Sequence, residues 1–143
     1  MTASEVITRL GMIPHPEGGH FVELWRGPYT ADATPGGRQH ASLIHFLLRE
    51  GEVSRWHTVD AAEVWLWHAG APLALSIAPA IGGEPVVHEL GGPGFAFQAV
   101  VPVGAWQSAR SLGAWSLVSC VVAPAFHYEG FKMASPGWEP SLG

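Results

Sequence analysis

Two stretches of the chain carry residues that can handle a proton or a metal ion. In the first, Gly51 is followed after five residues by His57, after one more by Val59, after three by Glu63 and after six by Gly70. His57 falls near the end of a strand expected over residues 53–59. Glu63 falls near the start of the next, over 63–68, with Asp60-Ala61-Ala62 as the turn. Antiparallel pairing of these two strands would set the imidazole and the carboxylate side by side on one face. Such a pair can bind a divalent cation or work as an acid and a base. In the second stretch, Pro102-Val103-Gly104-Ala105-Trp106-Gln107, the chemistry-bearing residue is Gln107, a neutral oxygen donor. Firm binding of zinc or a transition metal takes three or four good ligands. His57 and Glu63 supply only two strong donors, so a weakly bound divalent metal, or none, is expected.

The other polar residues each have a plainer role beside the functional one. His45 interrupts the apolar run Ser42-Leu43-Ile44-His45-Phe46-Leu47-Leu48 and shares a face with Leu43 and Leu47 by period-two alternation. It reads as a hydrogen-bonded core histidine, or as a substrate contact if it points at the same cavity as His57. His68, on the opposite face from Glu63, reads as a surface residue. His15-Pro16-Glu17-Gly18-Gly19 reads as a rigid turn in which Glu17 accepts backbone hydrogens, with Glu17 and His20 as lesser candidates for ligand contact. His127, Tyr128 and Glu129 are expected on the last strand, facing either solvent or the cavity. Cys120, the one cysteine, lies in an apolar run and reads as a buried small hydrophobe.

The elements that must position these residues are mostly short strands. Thr2-Ala3-Ser4-Glu5 forms a capping box, and Val6, Ile7 and Leu10 give a short apolar face that Gly11 ends. One N-terminal helix covering a barrel edge follows. Strands are expected over 20–26, 42–48, 53–59, 63–68, 73–78, 85–90, 95–101, 106–109, 115–122 and 126–133, separated by Gly- and Pro-rich turns, with 27–38 a long exposed loop. That spacing indicates an all-β sandwich or barrel in one domain, residues 1–143. Seven tryptophans in 143 residues suit a packed core and an aromatic-walled pocket alike.

Hydrophobic residues make up 48% of the chain and charged residues 13%, with a formal net charge of -5. A chain so apolar can offset the entropy of ordering. It has no basic stripe for a phosphate backbone and no basic amphipathic helix for a membrane surface, so neither nucleic acid nor membrane is an expected partner. With one cysteine, no signal-peptide pattern and no apolar run near ~20 residues, the expected location is cytoplasmic.

The spacing around His57 and Glu63 resembles the first cupin motif, with Val59 where many metal-binding members have a second histidine. Residues 102–107 resemble the second, with Gln107 at its histidine position. The chain as a whole resembles the cupin-5 family, through His15-Pro16-Glu17-Gly18-Gly19 with Phe21, Ser54, His57, Glu63-Val64-Trp65, Gly70, Leu90-Gly91, Gln98, Val101-Pro102 with Trp106, and Val121-Val122-Ala123-Pro124 with Phe126 and Phe131. The resemblance implies an RmlC-like jelly-roll barrel, a homodimer and a small-molecule ligand in the barrel. On it, His57 and Glu63 are the candidate catalytic pair, and Trp65, Gln98, Trp106 and Gln107 candidate substrate contacts, with His45 a further one should it face the same cavity. Three functions remain open. The first is metal-independent acid–base chemistry of an isomerase, epimerase or cyclase, with His57 as base. The second is a metal-dependent oxygenase or hydrolase with His57, Glu63 and Gln107 around the ion. The third is a binding module without turnover.

Overall fold

The computed structural model describes residues 1–27 and 38–140; most of the loop expected over 27–38 lies outside the described residues. Helix α1 (Ala3–Leu10) begins with Thr2 and Glu5 in the reciprocal capping box, and ends at Gly11 in the left-handed conformation. Eleven strands follow: β1 (Ile13–Pro14), β2 (His20–Gly27), β3 (Ala41–Arg49), β4 (Val53–Val59), β5 (Ala62–Gly70), β6 (Leu73–Ala78), β7 (Val86–Leu90), β8 (Gln98–Val101), β9 (Trp106–Ser111), β10 (Trp115–Ala123) and β11 (Phe131–Met133). The strand expected from residue 126 starts only at Phe131, because Tyr128–Gly130 forms a 3-10 turn. The strand expected from residue 95 starts at Gln98, after Phe95 adopts a positive φ of 58°.

The strands build two antiparallel sheets, one of six in the order β1-β2-β3-β10-β5-β8 and one of five in the order β11-β4-β9-β6-β7. The two face each other as a jelly roll. Phe46, Leu48, Trp65, Leu73, Leu75, Leu90, Val101, Val118 and Cys120 pack between them. The outer face of the six-stranded sheet is apolar too. Part of it is covered by α1, where Val6 and Met12 pack on Leu47. Beyond the helix, Trp25, Leu43, Val121, Val64 and Val100 occupy successive positions across five strands on that outer face. No helix among the described residues is long and apolar enough to cross a membrane.

One expectation about register is corrected. Strands β4 and β5 are consecutive in sequence but are not ladder partners: β4 pairs with β9 and β11, and β5 with β10 and β8. The turn at Asp60 carries the chain from one sheet to the other. Asp60 is held there by two hydrogen bonds from the Arg38 guanidinium and one shared with His127. His57 and Glu63 therefore approach each other from facing walls, not side by side on one wall.

Candidate active site

A cavity of about 220 Å³ opens between the sheets, lined by His15, Glu17, Phe21, Ile44, His57, Val59, Glu63, Cys120, Val122 and Phe126, with Glu23, Arg26, Ser42 and Tyr128. Its deep end is polar and buried. His57 on β4 and Gln107 on β9 are direct cross-strand partners, 2% and 0% exposed. Glu63 reaches them from the opposite sheet. The Gln107 amide is spent twice: its Nε2 donates to Glu63 Oε1 at 2.8 Å, and its Oε1 accepts from Trp65 Nε1 at 2.9 Å. Trp65, 1% exposed, thus acts on the site through Gln107 while its ring fills the core.

His57 has a defined tautomer. Its Nδ1 lies 2.7 Å from the Arg55 carbonyl oxygen, which can only accept, so Nδ1 carries the proton and the Nε2 lone pair is left free. Burial lowers the pKa of His57, against smaller upward pulls from Glu63 and that carbonyl. Glu63 moves the other way, to about 7: burial raises it, His57 and the Gln107 hydrogen bond lower it, and nearby Glu17 raises it again. A base kept neutral beside an acid that titrates near pH 7 is the condition under which both can move protons. The Cys120 thiol hydrogen-bonds to Glu63, and burial holds it in its neutral form.

Glu17 is the site residue that sequence reasoning undervalued. Its backbone is pinned: its N–H donates to His15 Nδ1 at 3.1 Å, and its carbonyl oxygen accepts from the Arg55 N–H at 2.8 Å. Its carboxyl accepts from the Ser54 hydroxyl, not from backbone hydrogens. Gly18 lets this turn lie flat on β4, since at its φ of 110° a Cβ would overlap the Val53 carbonyl oxygen. Burial raises Glu17 to about 7, with the Ser54 hydrogen bond pulling down. His15, wedged edge-on among Phe21, Phe46, Phe126 and Phe131, is lowered to about 4 by burial and then by His57. The signal for Glu17 was present in the sequence, a carboxylate followed by two glycines beside a histidine, but its target, Ser54, is 37 residues away.

Three candidate contacts lie elsewhere. Ile44, not His45, faces the cavity. His45 lies in the outer-face row with Ser119 and Gln98; its Nδ1 is 3.1 Å from the Ser119 hydroxyl, which His68 also meets at 2.6 Å. Gln98 is exposed at the edge strand. Trp106 packs on Trp138, ring centroids 4.2 Å apart, in a separate surface cleft with Lys132 and Met133. Tyr128 stands at the cavity mouth, where Arg26 is held by Glu23 at 2.7 Å and by the Phe126 carbonyl at 2.8 Å.

The donor set does not fit a metal ion. Gln107 has both ends of its amide engaged. Among the described residues, no three His, Cys, Asp or Glu side chains are grouped so that they could hold one.

A jelly roll whose interior sets His57 and Glu63 of the first motif stretch beside Gln107 of the second has the layout of a cupin-type barrel. The chain belongs to the cupin-5 family of the cupin superfamily (DUF985), whose model matches residues 4–134. A protein of Shewanella oneidensis, SO0799, is 34% identical, with a TM-score of 0.85 over 94% of this chain and 85% of that one. A hypothetical protein from Leishmania major is 30% identical, with a TM-score of 0.80 over 94% and 88%. The oxalate decarboxylase of Lactobacillus farciminis, solved with formate, shares the fold at 18% identity and a TM-score of 0.61; 85% of this chain spans a third (33%) of it. No curated protein matches the chain.

Proposed function

We propose that the cavity is the active site of an enzyme that moves a proton on a small, partly apolar molecule, in the manner of an isomerase, epimerase or cyclase. The observation that carries this reading is the buried His57 with its Nε2 unpaired toward the cavity, facing Glu63 held by Gln107. His57 Nε2 takes a proton from the substrate, and the protonated Glu63 gives one to the oxygen on which charge develops. Phe21, Ile44, Val59, Val122 and Phe126 supply the apolar wall. The test is incubation of the native protein in D2O with a panel of small carbonyl compounds and sugars, read by mass spectrometry for enzyme-dependent deuterium uptake. Uptake lost in His57→Ala and Glu63→Gln variants that still fold supports the reading. Uptake unchanged in both variants, or none across the panel, refutes it.

We also propose that two copies pair through the outer face of the six-stranded sheet. The family resemblance supports this, as does the row Trp25-Leu43-Val121-Val64-Val100, with Trp25 49% and Val100 59% exposed. Sedimentation at micromolar concentration should show a dimer that Val100→Glu converts to monomer; a monomeric native protein refutes it.

A further inference from the structure

The reading above uses one carboxyl, yet two lie close to His57, one hydrogen-bonded to His57's own strand and one to the neighbouring β9. Glu63 is held by Gln107 of β9. Glu17 is held by Ser54 of β4, three residues before His57, and its Oε2 lies 3.8 Å from His57 Nε2. That gap is too long for a hydrogen bond and short enough for one to form once Nε2 is protonated. Glu17 lines the cavity and is 7% exposed, so it meets whatever the cavity binds. Burying a carboxyl is costly without a partner charge. Arg26, the cavity's one lining guanidinium among the described residues, is already engaged by Glu23.

We propose that Glu17 is a further catalytic acid–base residue, forming with His57 the proton-accepting half of the site while Glu63 with Gln107 forms the proton-donating half. This rests on the acid–base reading of the cavity. The substrate class it points to is a small carbonyl compound with an acidic hydrogen beside the carbonyl. The C–H bond breaks, its proton passes to His57 or Glu17, and its electron pair moves through carbon to the carbonyl oxygen. Glu63 protonates that oxygen and becomes ionised. Return of the proton to a different atom or face reverses both transfers, so charge balances and no oxidant or reductant is consumed.

The two halves can be told apart without the substrate. A small epoxide, 1,2-epoxypropane, with its nitrophenoxy derivative as a chromophoric analogue, reacts with a carboxylate that has an acid beside it. The carboxylate oxygen attacks the ring carbon, the ring C–O bond breaks, and the alkoxide takes the acid's proton, leaving an ester. The expected site of esterification in the full-length protein, mapped by peptide mass spectrometry, is Glu17, at one label per chain. Glu17→Gln should abolish that label. Glu63→Gln should slow it about a hundredfold, the worth of a general acid, while the label still maps to Glu17. Glu17 is faced by His15, Ser54, His57 and Glu63. Ser54→Ala removes the hydrogen bond that favours its ionised form and leaves Glu17 itself in place. It should move the rise of the rate with pH to higher pH, a shift that a purely structural Glu17 would not give. Label on His57 or Glu63 in place of Glu17, or a pH profile that Ser54→Ala leaves unmoved, overturns the assignment and leaves the acid–base cavity standing. No label on any of the three residues in the folded protein overturns both.

Discussion

Replacing Glu17 by Gln should make the protein more stable at pH 8 than the native chain is, relative to pH 4.5. Glu17 is buried, and burial raises its pKa from 4.5 to about 7. The sign follows from linkage. Below pH 4.5 the group is protonated both folded and unfolded and costs nothing. Between 4.5 and 7 the unfolded chain ionises while the folded one does not, so stability is lost as pH rises, and above 7 the loss is complete. At ~1.4 kcal/mol per pH unit the loss comes to about 3 kcal/mol. Glutamine keeps the shape, can still accept from the Ser54 hydroxyl, and cannot ionise. His15, lowered to about 4, acts in the opposite sense, losing stability as pH falls from 6.5 to 4, but it is present in both proteins and largely cancels in their difference. About 3 kcal/mol corresponds to roughly 10 °C in Tm for a domain of this size. Thermal unfolding of both proteins followed by circular dichroism from pH 4.5 to 8.5 reads it directly. Variant minus native Tm should climb between pH 4.5 and 7 and then level off. A difference that stays constant with pH, or falls, would refute the claim that burial raises the pKa of Glu17.

Three further outcomes follow from the same geometry. Gln107→Leu should cost about 2–5 kcal/mol in denaturant unfolding, because it strands the Trp65 indole N–H and a Glu63 oxygen. It should also move the Glu63 titration, seen by carbon NMR of labelled glutamate, to higher pH; a neutral substitution would mean the amide aligns nothing. Gly18→Ala should lower stability by at least about 2 kcal/mol, since it combines a positive φ of 110° with overlap on the Val53 carbonyl. An unchanged Tm there would mean the turn can leave β4. Native, untagged protein should carry well under one metal ion per chain by mass spectrometry, and a chelator should leave its Tm unmoved; stoichiometric metal lost in both His57→Ala and Glu63→Gln would send the function toward metal chemistry.

Much of this molecule is legible from its order of residues. The capping box fixes α1 locally, because Thr2 and Glu5 satisfy each other's backbone groups within one turn. Most strands begin and end within a residue or two of where Gly, Pro and Asp punctuate the alternation, because those residues act on their own φ and hydrogen bonds. His57, Glu63 and Gln107 could be picked out by their match to the two cupin motifs. What spacing could not supply is the third dimension. Period-two alternation sorts Ile44 from His45 but cannot say which of them faces inward, for β3 is apolar on both faces: Phe46 and Leu48 pack in the core and Leu47 packs under α1. Only the placement of the helix settles that His45 lies outside. The turn at Asp60 reads locally as a hairpin, yet Arg38 and His127 secure it as a crossing between sheets, so His57 and Glu63 meet across a cavity and not along a ladder. Glu17 depends on contacts with Ser54 and Arg55, residues that share no local pattern with it. Local backbone preferences act over a few residues and are written in the sequence. Burial, and the pKa shifts that come with it, are properties of where distant segments pack, and these the tertiary structure alone decides.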